Sequence, residues 1–278
     1  MKNQMKYLLL VPGIILLAVF LVMPLLSIFL PTIFTEAGVT LDSYIQFFQD
    51  PLNVRIFIRT LRVALITTII CVFLAVPAAY YMSRCKQSVK GILMTISIFP
   101  LLTNSVIRSF AWITILGRNG IINQILTSIG IVEEPIQMLY TEFAIVIGSV
   151  YLFLPLMLTT LAGVMDNIEN DMMEAAESLG ANRLVAFLKV ILPLSLPGII
   201  VGSTLVFTGT LSAYTTPQLL GGNSNTVMAT FIYEKSMSLG DWEGTSVIAV
   251  IMIITTVIAM KVLNTIANRL DKRGGDNA

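Results

Sequence analysis

Long stretches without a charged side chain constrain this chain more than any other feature. No charge falls between Lys6 and Glu36, between Arg62 and Arg84, between Glu142 and Asp166, between Lys189 and Glu234, or between Glu243 and Lys261. A bilayer core of about 30 Å is crossed by about 20 apolar residues in a helix. Inside lipid the backbone must bond to itself, so such runs are helices rather than open strands. Of the 278 residues, 56% are hydrophobic and 12% charged, and mean hydropathy is +0.86. Soluble domains carry about 25% charged residues. The expected fold class is an all-α membrane protein with six transmembrane helices. They are expected within residues 7–30, between Arg62 and Arg84, from Gly91 past Arg108 to Leu116, at 143–165, at 197–219 and at 244–262.

Lys and Arg beside the spans set orientation. Lys2 and Lys6 precede the first span. Arg84, Lys86 and Lys90 crowd the link between spans two and three. Lys261, Arg269, Lys272 and Arg273 end or follow span six. The link between spans three and four carries Glu133, Glu134 and Glu142 against Arg118. Both termini are therefore expected in the cytoplasm, and so is the link between spans four and five. Arg55, Arg59 and Arg62 fit less well, because this topology puts them outside or at the interface. The first thirty residues read as a retained helix: the apolar run is too long for a signal peptide, holds Pro12 and Pro24, and lacks a small-residue cleavage site.

The link between spans four and five is the polar part of an apolar chain. Asp171 is expected as a helix N-cap, with Glu174 at capping-box spacing. Met172, Ala175, Ala176 and Leu179 recur at one helical face. Gly180 is expected to end that helix in a left-handed conformation. Asn182 can cap a second helix in which Leu184, Phe187, Leu188 and Ile191 repeat the spacing, with Pro193 and Pro197 bounding its far end. The competing reading is a polar surface loop with incidental periodicity.

The order Glu174-Ala175-Ala176, three residues, Gly180, nine residues, Val190, one residue, Leu192-Pro193 resembles the EAA loop of bacterial ABC importer permeases, with Val190 where that family usually has Ile. The resemblance implies a cytoplasmic helix–Gly–helix coupling loop seated in a cleft of an ATPase subunit. It marks Glu174, Ala175, Ala176, Gly180, Leu184 and Phe187 as coupling residues. Four other segments extend the likeness over residues 41–270. They are the run of residues 104–112 from Asn104 to Trp112, the run 116–123 with Gly117-Arg118-Asn119-Gly120, Thr216-Pro217-Gln218-Leu219-Leu220-Gly221-Gly222, and Gly240-Asp241-Trp242-Glu243-Gly244. Together they resemble spermidine/putrescine-type permeases. That branch implies a multi-pass protein of the bacterial inner membrane, working with a second related permease, two cytoplasmic ATPase subunits and an extracytoplasmic solute-binding protein. It also implies an external segment ahead of the permease core, which accommodates the three arginines. The expected organisation is a transmembrane helix at 1–35, an external segment at 36–60, a five-helix permease core at 61–266 and a cytoplasmic tail at 267–278. Polyamine import is the expected function. The alternatives are import of an amino acid derivative, a phosphonate or iron, or a channel or scaffold outside the ABC class.

Enzymatic roles find little support. The chain has no histidine and no Gly-x-x-x-x-Gly-Lys phosphate loop, so ATP hydrolysis is expected in a separate subunit. No cofactor, metal or nucleic-acid partner is expected, and the net charge is +1. Cys71 and Cys85 are both placed on span two, about 21 Å apart along a helix, too far to pair. Candidate pathway residues are Arg108, Trp112, Thr208, Ser212 and Tyr214. Arg108 lies either on the path or in a structural role on backbone carbonyls. Hydroxyls at 203, 204, 208, 210, 212 and 214–216, with Gly202 and Gly209, suit either close helix packing or a hydrated path. Gly221-Gly222-Asn223-Ser224-Asn225 reads as an external turn, and Trp242 as an interfacial anchor.

Overall fold

The computed structural model describes residues 11–35, 38–169 and 171–271. Lys2 and Lys6, and Lys272 and Arg273 of the expected tail, lie outside the described residues. The chain divides into two units, one made of residues up to Arg55 with Phe231–Thr255, the other of Ile56–Thr230 with the segment from Thr256 onward.

The first unit begins with helix α1, Val11–Thr32, whose apolar residues are exposed along its length. A two-residue antiparallel ladder follows, Phe34–Thr35 against Gly38–Val39. Helix α2 covers Asp42–Gln49 and buries Phe47. The buried Thr32 hydroxyl meets the Tyr44 hydroxyl at 2.6 Å, tying the end of α1 to α2. Later in this unit Lys235 pairs with Asp241 at 2.9 Å, and Asp241 accepts the Gly244 amide at 2.8 Å. That places a carboxylate on the first turn of a helix, the end where negative charge is favoured.

The second unit is a helical bundle around one long apolar helix. Its elements are α3 (Pro51–Ser83), α4 (Gln87–Leu102), α5 (Ser105–Leu116), α6 (Ile121–Ser128), α7 (Glu142–Met165), α8 (Asp171–Ser178), α9 (Arg183–Leu194), α10 (Leu196–Ser212) and α11 (Thr215–Gly221). A short α12 (Met228–Tyr233) leads to α13 (Trp242–Asp271); α3 and α13 have residues in both units. Helix α7 is central. Among its buried residues are Ile145, Val150, Met157, Leu161 and Met165, which join Val63, Cys71, Ala75 and Ala79 of α3 in one core.

Contacts at the helix ends fix the directions. Near the start of α3, Arg59 and Arg62 both reach Glu142 at the start of α7, at 3.1 and 2.9 Å. Just past the end of α3, Arg84 donates to the carbonyl of Ile168, just past the end of α7. The two helices therefore run parallel. Lys90 at the start of α4 pairs with Asp166 at the end of α7, so α4 runs antiparallel. Helix α10 is also antiparallel to α7: Gly198 lies against Leu161 and Val164, Gly202 against Met157, and Gly209 against Phe153. These glycines let the two backbones approach closely, as small residues do in membrane helices.

The structure corrects several expectations in detail. Among the described residues four helices are long and apolar enough to span a membrane, and six spans result if each of two bent pairs counts as one. Span three is broken: α4 and the segment Ser105–Ser128, which holds α5 and α6, meet at 97°. Asn104 caps the new helix by accepting the amides of Val106 and Ile107, so a polar residue with a strong capping preference ends what apolarity alone reads as continuous. Helix α3 begins at Pro51 and runs unbroken through Arg55, Arg59 and Arg62, so the last ten residues of the segment expected at 36–60 belong to the helix of span two. Cys85 lies beyond α3, while Cys71 is buried within it; both are free thiols. Span five ends at Ser212 and resumes at Thr215 after a break at Ala213 and Tyr214.

Candidate functional site

The helix–Gly–helix segment forms as its residues imply. Helix α8 ends in a Schellman motif: the Gly180 amide bonds the Glu177 carbonyl at 2.9 Å and the Ala181 amide bonds the Ala176 carbonyl at 3.1 Å, the two reverse bonds that close such a cap. Gly180 has φ +90°, and no neighbouring atom lies within 4 Å of where a Cβ would be. Glycine is required there by backbone conformation and not by space. Asn182 caps α9, accepting the Val185 amide at 2.8 Å. Asp171, expected as the N-cap, is instead the first helical residue. In that position its charge still favours the helix N-terminus.

The apolar residues of this segment divide into two sets. Met173 and Phe187 pack against the core, and Ile191 is wholly buried. Phe187 meets Tyr80 of α3 edge-on, with ring centroids 5.0 Å apart. Met172, Leu179, Leu184 and Leu188 are exposed, Leu179 at 89%. Glu174 and Ala175 are also exposed and Ala176 is half-buried. Glu177 and Arg183 form an ion pair across the turn at 3.4 Å, a surface contact worth little by itself. Behind the knob lies a cavity of about 740 Å³, bordered by Tyr80, Tyr81, Arg84, Glu174, Glu177 and Leu184. A chain that turns an apolar face outward from a rigid polar knob has a surface suited to a protein partner.

The pathway candidates do not converge on one point. Arg108 is buried on α5, and its Nη1 donates to the carbonyls of Pro100 at 2.7 Å and Thr103 at 3.3 Å. Both carbonyls belong to the end of α4, where the ladder stops and a cation is favoured. Its side chain therefore secures the break between α4 and α5. Trp112 stands edge-on to Tyr151 of α7, with centroids 5.7 Å apart. Thr208 and Ser212 return their hydroxyls to carbonyls of their own helix, at 2.7 and 3.1 Å. Tyr214 is half-buried at the break between α10 and α11.

Sequence reasoning missed the contacts that lock the ends of the spans. Arg59 also donates to the carbonyls of Ser224 and Thr226, which pins the turn after α11. The usable signal was the topology itself. It places Arg59, Arg62 and Glu142 on one side of the membrane, and Lys90 and Asp166 on the other.

A bundle of broken apolar helices carrying a capped polar knob defines a class of membrane permease, and the chain matches one family model over residues 71–273. It belongs to the binding-protein-dependent transport system inner membrane components, and is a permease subunit of an ABC importer rather than an enzyme. The spermidine/putrescine transport system permease protein PotB of Haemophilus influenzae is 34% identical to it over 233 residues, covering 81% of each chain. The protein of the same name from Escherichia coli K12 is 32% identical over 209 residues, 75% of this chain and 76% of that one. Among solved structures, a chain of a bacterial alginate ABC transporter, in complex with an alginate pentasaccharide-bound periplasmic protein, superposes with a TM-score of 0.80. It does so at 18% identity, over 97% of this chain and 96% of that chain, and so shares the fold.

Proposed function

We propose that this permease moves polyamines, spermidine or putrescine, into the cytoplasm after delivery by a solute-binding protein. The observation that carries the substrate class is the 34% identity to a spermidine/putrescine permease over 81% of the chain. The energy source in this reading is a pair of ATPase subunits. One docks on the exposed face of the knob through Glu174, Ala175, Ala176 and Leu184, while Gly180 sets the angle and Phe187 anchors the second helix to α3. A second, related permease completes the path. The termini and the knob face the cytoplasm, and the core comprises the spans from residue 61 to residue 266. Thr208, Ser212 and Tyr214 are the pathway candidates on span five. Arg108 and Trp112 act indirectly, by holding the α4–α5 break against α7.

Uptake of labelled spermidine and putrescine, in cells lacking other polyamine uptake and carrying the whole transport system, tests this. ATP-dependent uptake that disappears without this chain is expected. Restored uptake of a different solute, with none of either polyamine, would leave an importer and remove the polyamine assignment.

A further inference from the structure

We propose that Arg84 and Lys90 are positioning residues that clamp the α3–α4 turn to both ends of the knob, so that α3 and α4 move with it when the ATPases close. This rests on the coupling role proposed above. The direct covalent route from the knob runs through α9 into α10, with a 66° bend between them. The contacts describe a second route, through side chains.

Four contacts carry it. Lys90 pairs with Asp166, the residue that ends α7 and begins the stem of the knob. Arg84 donates to the carbonyl of Ile168, two residues further along the stem, at 3.0 Å. The Arg84 guanidinium also lies over the Tyr80 ring, 5.4 Å from its centroid, and Tyr80 meets Phe187 on the far side of the knob. The α3–α4 turn, with the last helical turn of α3, thus holds both the segment that enters the knob and its second helix. Ile168 and Met165 are buried there, with Met173 and Phe187 packed against the same core, so the clamp is packed on its core side and borders the cavity on its other side. Packed junctions transmit displacement as a body.

The placement of the Lys90–Asp166 pair adds a separate argument. Lys90 lies in the first turn of α4 and Asp166 caps the C-terminal end of α7. Each charge therefore occupies the unfavourable end of its own helix. Local helix chemistry would choose the reverse arrangement, so each charge gains its stabilisation from the other.

The test uses the full complex with its ATPases and binding protein in lipid nanodiscs, on a Cys85→Ser background. Spin labels go on Ser178 of the knob with Val89 of α4, and on Ser178 with Asn223. In the otherwise native chain, trapping ATP should shift the 178–223 distance by about 2 Å or more and leave the 178–89 distance unchanged. Combining Arg84→Gln with Lys90→Gln should let the 178–89 distance change on nucleotide binding, and lower the solute imported per ATP by about 5-fold. Arg84→Lys alone, and the exchanged pair Lys90→Asp with Asp166→Lys, should keep both readouts near native. A 178–89 distance that changes in the native chain, or a double Gln variant with unaltered import per ATP, would overturn the clamp. So would failure of the exchanged pair to assemble. A static 178–223 distance would instead remove the coupling reading on which the clamp rests.

Discussion

Gly180 and Arg108 show how single residues carry different kinds of constraint. At φ +90° a β-branched side chain is strongly disfavoured, while asparagine visits the left-handed region more readily. Gly180→Val should therefore abolish uptake and solute-stimulated ATP hydrolysis while the protein still inserts. Gly180→Asn should retain much of both. Normal transport by Gly180→Val, with ATPase subunits still co-purifying, would make the residue an ordinary loop position. Arg108 is constrained by partners rather than by conformation. Arg108→Met leaves the Pro100 and Thr103 carbonyls without their charged donor, at a cost of about 1–3 kcal/mol. The expected outcome is a lower thermal midpoint in detergent, with uptake falling in step with folded protein. Arg108→Lys should restore part of the midpoint. A changed KM for solute at native stability would place the side chain on the path after all.

At the scale of elements, the α7–α10 seam carries the clearest prediction. A Cβ on Gly198 would lie 2.9 and 3.0 Å from the branched carbons of Val164, whereas one on Gly202 would lie 2.4 Å from the Met157 sulfur. Val is stiff about its first side-chain torsion, and Met is flexible with a mobile sulfur. Gly198→Ala should thus destabilise more than Gly202→Ala despite the longer contact. Gly202→Leu, which cannot be absorbed by one rotamer change, should cost about 1–3 kcal/mol. Thermal unfolding of the purified permease ranks the three, and a larger loss from Gly202→Ala than from Gly198→Ala would refute this view of the seam. The seam also distinguishes the glycines of span five from its hydroxyls. Glycines face α7, while Thr208 and Ser212 bond their own helix. Periodicity marked the helix but not which of its faces met a neighbour.

For the whole molecule, orientation is the testable property. Lys86, Ser178 and Asn223 are all exposed. Single cysteines at Lys86 and Ser178 should label only from the cytoplasm, and one at Asn223 only from outside, as the Lys and Arg bias requires. External labelling at Ser178 would exclude docking to a cytoplasmic ATPase. Within the structure, Arg59 and Arg62 join Glu142 at one end of α7, and Lys90 joins Asp166 at the other. Two of the three awkward arginines thereby acquire a place: Arg59 and Arg62 neutralise the acid that opens span four. By itself the sequence determined the helices, their membrane character and the two caps around Gly180, because apolar runs, caps and glycines act within a few residues of chain. It also carried the family, through spacing confined to one loop. Only the tertiary structure decided where span three breaks, what Arg108 bonds, and which charges close the ends of the bundle. The closing charges are far apart in sequence, as Lys90 and Asp166 are, and helix packing sets their partnership; the break and the bonds of Arg108 lie within eight residues of chain but turn on a sharp bend that apolar periodicity does not encode.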